Sequence, residues 1–397
     1  MFSTKIIYLQ IYYFYLSFFV FLALYNCCQT QNIVDSYTMK KSFLTPGPSE
    51  LYFTVEDHLK TALQENICEI SHRSKNFQQI VANTLQALRN LLQIPDDYHI
   101  VFTASATEAW ERIIQNLSAK HTFHLVNGSF SSKFYDFAVL LQRNAIKYQV
   151  SENQGFTLND FTIPAETELI CLTHNETSTG VSMSLEDIYS IRKQNPEKLI
   201  ALDIVSSAPY PKLDFTQIDT AFFSVQKCFG LPAGLGVWIF NQRCVTKAKE
   251  LEGNKQIIGT YHTIPTLLAN IAKNETPETP NMLGIYLLGK VAEDMNYKTI
   301  EVIRKETAYK AALIYQILDK HHKFKAAVEP KFRSQTVLVA EGTAQDIKEF
   351  ISKCEKENII IGTGYGKFKD TQMRIANFPT HSKEVFEKVA DILLAMQ

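Results

Sequence analysis

Six short apolar runs limit what this chain can fold into more than any other feature. They are Tyr98–Phe102, Phe123–Val126, Glu168–Thr173, Lys198–Asp203, Ala221–Ser224 and Gly236–Phe240, and each reads as a buried strand. Between several of them lie stretches with helical spacing, at 107–118, 129–142 and 184–193. Strands separated by helices pair in parallel through right-handed crossovers. The expected fold class is therefore α/β: a large, mixed, mostly parallel sheet with helices on both faces.

The remainder of the chain completes this division. Residues 283–320 are mostly helical and read as a long connector. Beyond them, strands at 335–340 and 359–361 and helices at 343–356 and 382–396 predict a smaller C-terminal α+β domain. The expected organisation is an N-terminal extension over 1–38, a large domain over 39–275, and a linker helix with the small domain over 276–397. No fixed-period repeat is visible, which argues against a solenoid.

Composition excludes several function classes. Apolar residues make up 46% and charged residues 20%, enough for a real core. Lys and Arg number 40 against 41 Asp and Glu, so no electrostatic case exists for nucleic acid. The seven cysteines include no C-x-x-C pair and read as reduced thiols, with no metal site expected. Ile6 to Tyr25 is a stretch of twenty residues without a charge. It reads either as a membrane anchor or as an over-long gene start, with translation beginning at Met39. The second is favoured, because nothing downstream looks secreted. The expected location is cytoplasmic, with membrane anchoring through 6–25 as the alternative.

Ligands of open α/β sheets bind beyond the carboxyl ends of the strands. Five tips there carry suitable groups: Asp203, Lys227 within Ser224–Lys227, the helix-opening run Thr103–Glu108, Asn127–Phe130 and His174–Gly180. Together they meet the needs of a pyridoxal phosphate enzyme. Lys227 can form the Schiff base, and Asp203 can face the pyridine nitrogen. The N–H groups of Ser105, Ala106 and Thr107 at a helix N-terminus suit a phosphate, and Phe130 can stack on the ring. Taken singly, each reads as ordinary structure: a solvated lysine, a turn aspartate, helix caps, a core phenylalanine. Their joint placement at successive strand ends is what points to chemistry.

From Phe43–Ser49 through Ser71–Ser74, the 106–107 cup, Asn127–Phe130, His174–Gly180, Asp203, Gln226–Lys227, Glu278–Pro280, Phe332–Gln335 and Met373–Pro379, the chain resembles the class V, fold type I aminotransferases, and within them the phosphoserine aminotransferases. The resemblance covers essentially all of 42–397. It implies that Lys227 binds pyridoxal 5′-phosphate and moves the substrate proton, and that Asp203 pairs with the pyridine nitrogen. It further implies that Thr177 bonds near the ring hydroxyl and that Gln226, Ala106 and Thr107 hold the cofactor phosphate. Thr279 would reach that phosphate from the other subunit of a homodimer. His72 and Arg73 would engage the substrate phosphate or distal carboxylate, and Arg374 the α-carboxylate, as an Arg fork suits.

Four departures from the family pattern stand out. Thr107 stands where many members have Arg, and Phe130 where they have Trp. Glu278 replaces an Asn before the inter-subunit Thr, where a carboxylate would repel a phosphate unless it turns away. A His-Arg pair is absent near Gly364–Lys367. The implied reaction is 3-phosphohydroxypyruvate plus L-glutamate giving O-phospho-L-serine and 2-oxoglutarate. A serine–pyruvate or alanine–glyoxylate transaminase remains an alternative, as does a membrane-tethered, non-catalytic relative of the fold.

Overall fold

The computed structural model of this chain describes residues 40–397, so Ile6–Tyr25 and the question of an anchor lie outside the described residues. All six apolar runs are strands. The first half comprises β1 (Ser42–Leu44), α1 (Val55–Gln64), α2 (Lys75–Leu92), β2 (His99–Thr103), α3 (Ala106–Leu117), β3 (His121–Val126), α4 (Ser129–Leu140) and β4 (Asn144–Gln149). There follow β5 (Leu169–Thr173), the short β6 (Asn175–Glu176) and β7 (Val181–Ser182), α5 (Leu185–Gln194), β8 (Leu199–Asp203), β9 (Thr220–Ser224) and β10 (Gly236–Phe240). The last third holds α6 (Gln242–Gly253), α7 (Ile264–Ile271), α8 (Met282–Lys298), α9 (Ile300–Leu318), β11 (Lys325–Ala326), β12 (Val337–Glu341), α10 (Ala344–Lys356), β13 (Ile359–Thr363), β14 (Gln372–Ala376) and α11 (Lys383–Leu394).

The large sheet has seven strands in the order β2-β10-β9-β8-β5-β3-β4. All its pairings are parallel except those of β10, which runs antiparallel to both neighbours. Successive strand residues feed opposite faces, because side chains alternate across a sheet. Ile200 and Leu202 join one core with α1, α2 and α8, whereas Ala201 joins the other with α3, α4 and α6. Phe223 and Phe222 divide in the same way. A sheet covered on both faces needs apolar residues at every position, and that is why the strands appear as unbroken apolar runs.

The second sheet has the order β1-β13-β14-β12-β11 and a separate core with α9, α10 and α11. It takes in the first described strand, since Ser42–Leu44 pairs in parallel with Ile359–Ile361. That pairing carries the following segment, Thr45–Ser49, over the tips of β8 and β9. The 283–320 stretch is two helices, α8 and α9, broken at Thr299, whose φ is +70°. No helix among the described residues is long and apolar enough to cross a membrane.

Candidate active site

Beyond the carboxyl ends of the large sheet lies a cavity of about 250 Å³. Ala106, Thr107, Phe130, Thr177, Asp203, Gln226 and Lys227 all line it. The sequence placed these residues at separate strand ends; the parallel topology brings the ends together.

Lys227 follows β9 and is 8% exposed. Its Nζ donates to the Pro46 carbonyl and lies 5.5 Å from the centre of the Phe130 ring. Burial and then the nearby Arg374 guanidinium push its pKa down to about 8, against smaller opposing effects from Cys228, Asp203 and Glu176. Gly47, with φ of +125°, makes room for the amine. A Cβ there would stand 2.5 Å from Lys227 Nζ.

Asp203 ends β8 and is 3% exposed. Its Oδ1 accepts the Val205 N–H at 2.9 Å, and its Oδ2 accepts the Trp110 indole N–H at 3.0 Å. Burial raises its pKa to about 7 in spite of these donors.

The phosphate cup begins where α3 begins. Ser105 caps the helix, its side chain accepting the Glu108 N–H at 3.1 Å. Gly236 lets β10 approach this turn, for a Cβ would fall 2.6 Å from the Ser105 carbonyl carbon. The Ala106 N–H donates to Ser224 Oγ at 2.7 Å, so this predicted cup donor is engaged by a neighbouring hydroxyl.

Phe130 is set by α4. Buried Glu176 accepts the backbone N–H of Phe130 at 3.3 Å and of Ser131 at 2.8 Å, and so takes up the orphan donors of the helix N-terminus. Tyr365 leans on Phe130 with ring centres 5.6 Å apart, and the Arg374 guanidinium lies 5.2 Å from the Tyr365 ring. Arg374 is not part of the cavity lining but is tied to it, donating to the carbonyl of the lining residue Thr177 at 3.3 Å and to the Thr363 carbonyl at 2.9 Å.

His72, Arg73 and Thr279 form a second cluster, outside the lining of this cavity. Arg73 Nη1 pairs with Glu275 at 2.7 Å and Nη2 donates to the Pro277 carbonyl at 3.3 Å. His72 Nδ1 lies 3.5 Å from Thr279 Oγ1. Glu278 turns to buried His262, 3.0 Å from Nε2, while His262 Nδ1 meets Glu108 of α3 at 2.5 Å. Burial opposes the charge on His262, but the bonds to Glu108 and Glu278 prevail and raise its pKa to about 9. The unfavourable carboxylate is thus neutralised by an imidazolium.

Sequence reasoning assigned no role to Trp110, Glu176, His262 or Tyr365. One signal for Trp110 was available: it lies four residues after Ala106, hence on the same helix face as the cup. Glu176 and His262 act through contacts that only the fold creates. Among the described residues no group of His, Cys, Asp and Glu could hold a metal ion.

The donor set suits a flat, phosphorylated heteroaromatic aldehyde. A neutralisable amine, a buried acid, a ring face and a helix N-terminus converge on one small cavity, and Gly47 and Gly236 are shaped around two of them.

Comparison with known proteins gives a concordant picture. The family described as aminotransferase class-V matches residues 45–367. A phosphoserine aminotransferase of Rhodococcus jostii (strain RHA1) is 26% identical over 318 residues, covering 79% of this chain and 84% of the relative. The crystal structure of a phosphoserine aminotransferase from Cytophaga hutchinsonii ATCC 33406 superposes with a TM-score of 0.87 at 51% identity, covering 89% of this chain and 98% of the other. An alanine–glyoxylate aminotransferase of Nostoc sp. shares the fold, with a TM-score of 0.76 at 19% identity over 90% of this chain and 95% of the other.

Proposed function

The chain belongs to the class-V aminotransferases, and on that footing we propose that it transfers the amino group of L-glutamate to 3-phosphohydroxypyruvate, forming O-phospho-L-serine and 2-oxoglutarate. It is an aminotransferase, and its cofactor is pyridoxal 5′-phosphate. The observation that carries the reading is the meeting of Lys227, Asp203, Thr107 and Phe130 in one cavity. The choice among class-V substrates is supported by the 51% identical relative, whose name is phosphoserine aminotransferase.

When bound, the cofactor supplies an electron sink for the electrons left by the substrate's α-proton. Lys227 Nζ holds the cofactor and then accepts that proton, a task for a neutral amine, which its burial favours. Asp203 keeps a proton on the pyridine nitrogen. Thr107 and Gln226 hold the phosphate beside Ala106, whose own N–H is bonded to Ser224 Oγ, while Phe130 covers one ring face and Thr177 orients the ring hydroxyl. Arg374 receives the α-carboxylate as a fork.

The second cluster supports a homodimer. His72, Arg73 and Thr279 lie together away from their own cavity's lining, where a second copy would present them to the other site. Thr279 would then reach the cofactor phosphate, and His72 with Arg73 the anionic end of the substrate. We place the protein in the cytoplasm, a reading supported by the five described cysteines all being free thiols.

Spectral half-reactions test the substrate. The loaded enzyme should lose its visible absorption band with phosphoserine or glutamate, and Lys227→Ala should abolish the response. Conversion by serine or alanine without conversion by phosphoserine would reject the reading in favour of a serine–pyruvate or alanine–glyoxylate enzyme.

A further inference from the structure

Trp110 joins the two halves of the cofactor site. It lies on α3 one turn beyond Ala106 and Thr107, lines the same cavity, and is 4% exposed. Its ring stacks on Phe134 at 5.9 Å and meets Phe137 edge-on at 5.8 Å. Its indole N–H goes to Asp203 Oδ2, while the Val205 N–H takes Oδ1. The helix that opens at the phosphate cup therefore also supplies the donor that holds the acid.

We infer that Trp110 is a positioning residue for the cofactor: its indole N–H keeps the Asp203 carboxylate ionised and in one orientation, so that the shared proton stays on the pyridine nitrogen. The inference rests on the pyridoxal phosphate reading of the site. A proton between a carboxylate and a pyridine can reside on either partner. Each hydrogen bond donated to the carboxylate stabilises its anion and moves the proton to the ring. The charged groups facing Asp203 pull in opposite directions, Lys227 favouring the anion and buried Glu176 opposing it. A neutral donor lowers the acid's proton affinity without cancelling the negative charge that holds the pyridinium. An Arg or Lys at position 110 would cancel it.

The competing account is that Asp203 merely satisfies a buried indole. Two replacements separate them. Trp110→Phe keeps a ring in the aromatic pocket and removes the N–H. Site-specific incorporation of 3-benzothienylalanine at 110 replaces N–H by sulfur in a ring of nearly the same shape, and serves if the Phe variant does not fold. Each protein is loaded with cofactor labelled with nitrogen-15 in the ring, and its nitrogen resonance is followed across pH. The wild type should sit at the protonated position. Both replacements should bind cofactor yet shift toward the unprotonated position, the protonated-to-unprotonated ratio falling about tenfold or more for loss of a hydrogen bond to a charged group. Coincidence of the resonances across the pH range overturns the proposal, as does an unprotonated nitrogen in the wild type. Failure of the wild type to take up cofactor would instead overturn the reading beneath it.

Discussion

Lys227 is a buried amine with a guanidinium beside it, and both circumstances favour the neutral form. An amine attacks a carbonyl only when unprotonated. Capture of the cofactor should therefore accelerate as pH rises through about 8, rather than through the ordinary lysine value of 10.5. Removing the neighbouring cation, in Arg374→Leu, should move that midpoint upward. Stopped-flow absorbance over a pH series reads both; a midpoint unmoved by the substitution would show that burial alone sets the amine. At the same scale lies the limit of a linear reading. Lys227 and Asp203 were legible because each stands at the end of a recognisable strand and its residue type announces a role, whereas Gln226 was assigned only through the family resemblance. Trp110 and Glu176 were not legible, because an indole and a carboxylate look like core and surface until their partners, 93 and 45 residues away, are known.

At the scale of elements, the clasp Glu108–His262–Glu278 ties α3 to the 276–280 loop. Both imidazole nitrogens face carboxylates, so the bridge is complete only when the ring is an imidazolium. The folded pKa of about 9 lies above the unfolded value of 6.5. The stabilisation is accordingly present in full below pH 6.5 and is lost as pH rises through about 9. His262→Gln should lower the unfolding free energy by about 1–3 kcal/mol at pH 6. The gap to wild type should narrow by pH 9–10, as read from urea midpoints. A gap independent of pH would mean that the histidine acts by packing. Position also decided which strands were legible. β5 and β8 lie inside the sheet, are buried throughout and are apolar up to their last residues, Thr173 and Asp203, whereas β4 is an edge strand with exposed Asn144, Lys147 and Gln149 and shows no such run.

For the whole molecule, the consequential proposal is that two copies complete each site. If so, a Lys227→Ala chain and an Arg73→Ala or Thr279→Ala chain, each inactive or impaired, should complement one another. Random reassembly makes half the dimers hybrid, each with one site free of both substitutions, so mixed subunits should regain about a quarter of wild-type activity. Activity no greater than that of the separate variants would place both sets of residues in one chain's site.

The sequence alone determined the fold class, six of the seven strands of the large sheet and seven of the residues that line the cavity. Burial on both faces forces unbroken apolar runs, and ligand-facing residues fall just after them. Only the tertiary structure decided the pairing of Ser42–Leu44 with β13, the antiparallel course of β10, the pull of His262 on Glu278 and the hold of Trp110 on Asp203. These depend on which distant groups meet once the chain closes, and neither local periodicity nor residue type encodes that meeting.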